Sequence, residues 1–124
     1  MTPEERIRLK RKNFRSQVIK YFQFLIEEFG FETPMQESNT REDGTVISDT
    51  ISYLNPVSSS KVTLHNGYNT SDYRFQLLIR DGFTGIRQRL YSVFREDQDI
   101  QQNYLEEVAT LLINHLAKIE TDPA

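Results

Sequence analysis

The chain has 124 residues, of which 37% are hydrophobic and 27% are charged, and its net charge is −3. A chain of this length and composition is expected to fold as a single domain, residues 1–124, with a core of modest size. It contains no cysteine, which excludes disulfides, zinc sites built on thiolates and a cysteine nucleophile.

The first predicted element is one long amphipathic helix at residues 3–29. Thr2 suits the N-cap position, a proline follows it, and Glu5 completes a capping box. Apolar residues then recur close to the 3.6-residue period until Gly30, a typical helix stop. Because the first third of this helix has few apolar side chains, residues 1–12 are expected to form a basic helical arm that projects from the domain.

Three strand predictions follow a polar segment, residues 32–44, which is expected to be a mobile loop. Residues 45–54 are rich in β-branched side chains, residues 60–65 form a second run, and residues 73–80 show the clearest alternation. The Asn-Gly pair at residues 66–67 is typical of a tight hairpin turn. The sequence therefore predicts that the second and third strands are antiparallel neighbours.

Residues 86–94 fit either a helix or a strand, since their apolar side chains match both periods. Tyr91, Val93 and the short preceding connection favour a fourth strand. A second helix is then predicted, with Asp99 as its cap and an end near Glu120. This order predicts an α+β fold in two layers, in which both helices cover one face of an antiparallel sheet of three to four strands.

Neither a secretory signal nor a membrane-spanning segment is recognisable. The start is basic, but no apolar stretch with a cleavage site follows it, and the most apolar windows are far shorter than the roughly 20 residues that cross a bilayer. We therefore expect a cytoplasmic protein without a membrane partner.

No pattern of catalytic residues stands out. The glycines form neither a serine nucleophile elbow nor a phosphate-binding loop, and His65 and His115 have no histidine at ligand spacing. We interpret His65 as a residue at the edge of a turn and His115 as a half-buried helix residue. No catalytic residue, metal or cofactor is predicted. An enzyme of unfamiliar type around Asp49, His65 and Tyr68 is kept as an alternative.

Asp49 is the one carboxylate on an otherwise apolar strand face. Two interpretations are open: a β-bulge turns the side chain outward, or the carboxyl is a catalytic acid held in apolar surroundings. We favour the bulge.

The charges are distributed unevenly along the chain. Residues 1–20 carry seven basic and two acidic side chains, a net charge of +5, and the other 104 residues carry a net charge of −8. The sequence thus predicts a basic arm attached to an acidic body. The arm contains Arg6, Arg8, Lys10, Arg11, Lys12 and Arg15.

A second basic feature lies in the last two predicted strands. Arginines recur there at alternate positions, which places them on the solvent-exposed face of the sheet if the two strands pair. Such a face suits an acidic protein partner, phosphate contacts with base stacking, or simple solvation. This predicted partner-binding face consists of Arg74, Arg80, Arg87, Arg89, Tyr91 and Arg95.

Residues 21–31 end the first predicted helix in Phe-Gly-Phe ahead of the sheet. In this they resemble the opening of several small bacterial domains, immunity proteins among them. The size, acidity and element order of the chain are also similar to class I type III secretion chaperones, although the chain lacks the complete order of helices and strands of that family. The second resemblance implies a homodimer that holds a segment of a partner.

These observations predict a non-catalytic protein-interaction module of the bacterial immunity-protein or secretion-chaperone kind, with an acidic protein partner. The segregated charge favours this prediction, because complementary charge steers encounter and selects partners. The alternative is a nucleic-acid-associated protein that uses the basic arm and the strand arginines. The net negative charge argues against that alternative, since dedicated nucleic-acid binders are strongly basic.

Overall fold

The computed structural model describes residues 2–68, 74–94 and 100–121, which contain three helices and five strands. The strands form one antiparallel sheet in the order β1-β2-β3-β4-β5, so consecutive strands are neighbours. The α+β prediction is confirmed, with five strands instead of three to four. The elements are α1 (Pro3–Tyr21), α2 (Phe24–Phe29), β1 (Met35–Thr40), β2 (Val46–Leu54), β3 (Lys61–Gly67), β4 (Arg74–Arg80), β5 (Arg87–Phe94) and α3 (Leu105–Thr121).

The predicted first helix has the expected ends but is not continuous. The Oγ1 atom of Thr2 accepts a hydrogen bond from the backbone N–H of Glu5 at 3.1 Å, and Gly30 ends α2 with a φ of +76°. A turn at Phe22 and Gln23 separates α1 from α2. The prediction of one helix over residues 3–29 is therefore wrong at this point.

The break between α1 and α2 brings two aromatic side chains into the same cluster. In an uninterrupted helix, residues two apart point to nearly opposite sides. Phe22 and Phe24 instead pack with their ring centroids 5.9 Å apart, and Phe24 also meets Phe29 edge-on at 6.0 Å. Aromatic packing, rather than a proline or a glycine, thus accompanies the break.

The polar segment at residues 32–44 is not the predicted mobile loop, because it contains strand β1. This strand pairs with β2, from Met35 opposite Ser52 to Asn39 opposite Ser48. All its side chains are exposed, so its sequence shows no apolar alternation. Only backbone hydrogen bonding to β2 reveals it as an edge strand.

Strand β3 includes the two residues predicted as a hairpin turn. Asn66 and Gly67 pair with Asp49 and Ser48 of β2, and the side chain of Asn66 is fully buried. The turn prediction is wrong because pairing with β2 continues through these residues.

The residues at 86–94, which fitted two periods, include strand β5 and no helix.

The core lies between the helices and one face of the sheet, which confirms the predicted two layers. Alternate residues of β2, β3 and β4 point towards the helices and are almost fully buried. The sheet contributes Ile51, Tyr53, Val62, Leu64, Phe75 and Leu77, and the helical segments contribute Phe14, Val18, Phe22, Leu25, Leu105, Val108, Ala109 and Leu112.

The C-terminal helix α3 carries the apolar stripe that its sequence predicts. Asp99, its predicted cap, lies outside the described residues. Within residues 2–68, 74–94 and 100–121, no helix combines the length and the apolar character that crossing a bilayer requires.

Candidate functional site

Asp49 lies on the inner face of β2, where it forms a partly buried ion pair with Arg11 of α1, whose side chain is 22% exposed. Arg11 Nε donates to Asp49 Oδ2 at 2.9 Å, and only 5% of the Asp49 side chain is exposed. Tyr68 donates its hydroxyl to the same oxygen at 2.8 Å, and Ser38 donates to Oδ1 at 2.6 Å. Through these hydrogen bonds, Asp49 of β2 is connected to α1, to β1 and to Tyr68, the residue that follows β3.

The pKa values of this group follow from burial and hydrogen bonding. Burial disfavours the charged form of Asp49, but hydrogen bonds from Arg11, Ser38 and Tyr68 outweigh it and lower the pKa of the carboxyl below its ordinary value. Burial raises the pKa of Tyr68 far above its ordinary value, and the charge of Asp49 raises it further. At neutral pH the group is therefore a carboxylate with a neutral phenol as one of its donors.

The interpretation that a bulge turns Asp49 outward is wrong. Asp49 is in register with Ser38 of β1 and with Asn66 of β3, and β2 is regular at this position. The irregularity in this ladder falls between Asn39 and Thr40. The carboxyl points inward because Arg11 supplies a cation there, which offsets the cost of burying the charge.

The three residues of the enzyme hypothesis, Asp49, His65 and Tyr68, do not lie together in one site. Asp49 and Tyr68 are hydrogen-bonded, but His65 lies on the opposite face of the sheet, where its Nδ1 is 3.1 Å from Thr50 Oγ1. His65 is thus a strand residue and not the turn residue we predicted. His115 is half-buried on α3, and burial lowers its pKa. In the described parts of the chain, no group of three or more His, Asp or Glu side chains is arranged to hold a metal ion.

A second polar group connects the sheet to the segment before α3. Gln102 Oε1 accepts hydrogen bonds from Asn66 Nδ2 at 3.4 Å and from the Tyr104 hydroxyl at 2.7 Å. Asn66 and Gln102 are fully buried, and Gln102 adopts a φ of 59°. Sequence patterns do not signal this contact, since Asn66 and Gln102 are 36 positions apart.

The C-terminal end of the basic arm packs against the rest of the domain. Lys10 is only 8% exposed, and Arg11 is held by Asp49. Residues 10 and 11 of the arm therefore do not project. Its exposed cations are Arg8, Lys12 and Arg15.

The strand register places most of the predicted arginines on the sheet face that lies opposite the core. Arg80 stands directly opposite Lys61 of β3 on one side and Arg87 of β5 on the other. Directly opposite residues share a face, and so do alternate residues along a strand. Lys61 was missed in the sequence because only strand pairing brings it beside Arg80. We call this set the cationic face: Lys61, Arg74, Arg80, Arg87 and Arg89.

Tyr91 does not belong to the cationic face. A β-bulge at Leu90 interrupts the pairing of β5 with β4, so the alternation reverses there. Tyr91 is therefore opposite Leu77, and its ring packs 6.0 Å from that of Phe75 against the core. The predicted position of Tyr91 beside the arginines is wrong for this reason. Arg95 lies outside the described residues.

An apolar cleft of about 290 Å³ opens where the β2–β3 and β4–β5 loops meet. Val57, in the β2–β3 loop, exposes 93% of its surface, and Phe83, which lines the cleft, exposes 91%. These loops lie at the same end of the sheet as Lys61 and Arg80, so apolar and cationic groups are neighbours there. The cleft is lined mainly by Phe29, Phe31, Val62, Ile79, Phe83 and Leu116.

Replacing Gly82 with Ala is expected to destabilise the protein by about 1 to 3 kcal/mol, the usual cost of overpacking. A Cβ atom at Gly82 would lie 1.7 Å from the carbonyl oxygen of Ser58, so the two loops would have to separate. Urea unfolding measures the loss, with Gln88→Ala at an exposed strand position as the control. Equal stability of Gly82→Ala and the wild type would show that the two loops can separate without a loss of stability.

The chain matches no protein-family model, and comparisons with curated proteins and with solved structures also found no match. The resemblances to immunity proteins and secretion chaperones gain no support from these comparisons.

Proposed function

We propose that this protein is a non-catalytic interaction module that binds an acidic protein partner on its cationic face. The observation that carries the proposal is the alignment of five cations on the sheet face that no described helix covers. Arg74, Arg87 and Arg89 are exposed, and Lys61 and Arg80 are half-buried. These side chains are accessible to a partner over three adjacent strands.

The sign of the charge on this face differs from that of the surrounding chain. Residues 21–124 carry a net charge of −8, although they include all five cations of the face. A positive surface on a negative body orients an approaching acidic partner and repels a basic one. Charge segregation of this kind contributes more to partner selection than to affinity.

The buried polar residues support a structural role better than a catalytic one. Asp49 accepts its hydrogen bonds from Arg11, Ser38 and Tyr68, all of which belong to the same chain. A general acid or base must instead reach a substrate atom. Asp49 and its donors hold α1 on the sheet, which leaves the opposite, cationic face for binding.

Replacing Arg74, Arg80, Arg87 and Arg89 with Gln is expected to leave the melting temperature nearly unchanged, because three of these charges are exposed, Arg80 is half-buried, and surface charges contribute little to stability. The same variant should bind the partner at least about tenfold more weakly, since it removes the complementary charge. Partners are recovered from the native host by crosslinking and identified by mass spectrometry. Calorimetry with the purified partner then measures affinity, and the proposal requires an acidic segment in that partner.

The control variant replaces Arg8, Lys12, Arg15 and Arg41 with Gln, which changes the net charge equally without touching the cationic face. We expect this variant to bind the partner like the wild type. Loss of binding in the control alone would contradict the proposal. Recovery of RNA or DNA, with an affinity that falls by roughly 0.7 to 0.9 logarithmic units per contact for each tenfold rise in salt, would favour the nucleic-acid alternative.

A further inference from the structure

Three cations of the cationic face stand in one row across the sheet. Lys61 of β3, Arg80 of β4 and Arg87 of β5 are directly opposite one another in the two ladders. Neighbouring strands lie about 4.8 Å apart, so the row spans about 10 Å of backbone. Like charges directly opposite each other are unfavourable, and a bound anion would relieve this repulsion.

The row borders a depression of about 220 Å³ on the sheet face. Besides the three cations, Thr63, Leu78 and Ile79 line it, and Thr63 and Leu78 are opposite each other in the adjacent row of the β3–β4 ladder. Thr63 adds a hydroxyl donor beside the cations. The depression thus offers ammonium, guanidinium and hydroxyl donors around one small volume.

No acidic side chain of the described residues neutralises this row. Asp81 is adjacent to Arg80 in sequence, but its Oδ1 accepts hydrogen bonds from the backbone N–H groups of Phe83 at 2.8 Å and Thr84 at 3.0 Å. Asp81 lines the apolar cleft and not the depression. Within the described parts of the chain, no carboxylate therefore lies between the three cations.

We infer that the row of Lys61, Arg80 and Arg87 is a binding site for a phosphoryl group. A phosphoryl group carries a charge of about −1.5 to −2 at neutral pH and three acceptor oxygens, which suits three cations better than the single charge of a carboxylate. The planar guanidinium donates to phosphate in a bidentate manner, and lysine adds a point charge. This inference rests on the proposed function, since it assigns the chemistry of one group that the partner places on the cationic face.

Inorganic phosphate is the first probe, added to the ¹⁵N-labelled full chain at constant ionic strength. We expect saturable shifts of the backbone amides of Lys61, Thr63, Arg80 and Arg87. Arg80→Gln should weaken phosphate binding at least about tenfold, because it removes charge-assisted hydrogen bonds. Absence of saturable shifts at these amides would overturn the inference.

Arg41→Gln is the matched control, with the same change of charge on an exposed loop. Arg41 precedes β2, whereas the row is level with Leu54 at the far end of that strand, roughly 25 to 30 Å away along nine residues. At this distance a charge is screened, so phosphate affinity should stay within about twofold of the wild type. An equal loss in both variants would show unspecific charge attraction and overturn the site.

A pair of peptides separates this inference from the proposed function. One is a short Asp- and Glu-rich peptide with a single phosphoserine, and the other is the same peptide with serine. Tighter binding of the phosphopeptide, lost in Arg80→Gln, supports a phosphorylated protein segment. Saturable phosphate binding without any phosphopeptide preference supports a free phosphate compound as the source of the group. If phosphate does not bind but both peptides bind equally, the inference fails and the proposed function stands.

Discussion

Replacing Arg11 with Met is expected to destabilise the protein by about 3 kcal/mol at neutral pH, the lower end of the usual cost of leaving one charge of a buried pair without its partner, because the Arg11 side chain is 22% exposed. The variant removes the cation from Asp49, whose side chain is 5% exposed. Hydrogen bonds from Ser38 and Tyr68 persist but supply no positive charge. Urea unfolding at neutral pH measures the loss.

The pH dependence of this loss has a defined sign. In the wild type the folded-state pKa of Asp49 is lowered, so its stabilising contribution is complete above the unfolded value of about 4 and disappears as the pH falls through the lowered pKa. In Arg11→Met that pKa is higher, and protonation relieves the buried charge. The difference in stability between variant and wild type should therefore narrow as the pH falls from the higher folded-state pKa of Asp49 in the variant to its lowered pKa in the wild type.

Two further variants test the origin of this effect. Arg8→Met replaces an exposed cation of the same helix and should change stability by no more than about 0.5 kcal/mol. The double variant Arg11→Met, Asp49→Leu removes both charges and should recover part of the loss, because no unpaired buried charge is left. A loss below about 1 kcal/mol in Arg11→Met would show that the pair does not hold α1 on the sheet.

Replacing Phe75 with Ala is expected to cost about 3 to 5 kcal/mol, the range for deleting a buried aromatic side chain. Phe75 is 1% exposed. Its ring packs against three others, with centroid distances of 6.4 Å to Phe14, 6.0 Å to Tyr91 and 5.2 Å to Tyr104. The substitution thus removes contacts to α1, to β5 and to the segment before α3. Urea unfolding again measures the loss of stability.

Phe83→Ala is the matched control for this substitution. It removes the same side chain from a position that is 91% exposed, so the free energy of unfolding should change by at most about 0.5 kcal/mol. A loss below about 1 kcal/mol in Phe75→Ala, close to that of Phe83→Ala, would contradict the assignment of the two sheet faces.

The elements with strong local signals could be predicted from the sequence. The capping box at Thr2 and Glu5, the alternation over Phe75 to Arg80 and the apolar stripe of α3 each depend on residues a few positions apart. Strand β1 could not be predicted, because all its side chains are exposed and its only structural signal is backbone pairing with β2.

The candidate site could be predicted only in part. Alternation along single strands assigned Arg74 and Arg80, and separately Arg87 and Arg89, to shared faces, and the structure places all four on one face of the sheet. The same alternation placed Tyr91 on the wrong face, because the bulge at Leu90 reverses the alternation and has no distinctive sequence signal.

The sequence by itself determined the α+β class, the positions of most elements, the absence of cysteine chemistry and the separation of charge between the first 20 residues and the others. These properties depend on composition and on periods of two or 3.6 residues. The tertiary structure decided that Asp49 points inward to Arg11, 38 positions away, and that Lys61 joins Arg80 and Arg87 in one row. Contacts of this kind depend on strand register and helix docking, which are set by the packing of the whole chain and by no local period.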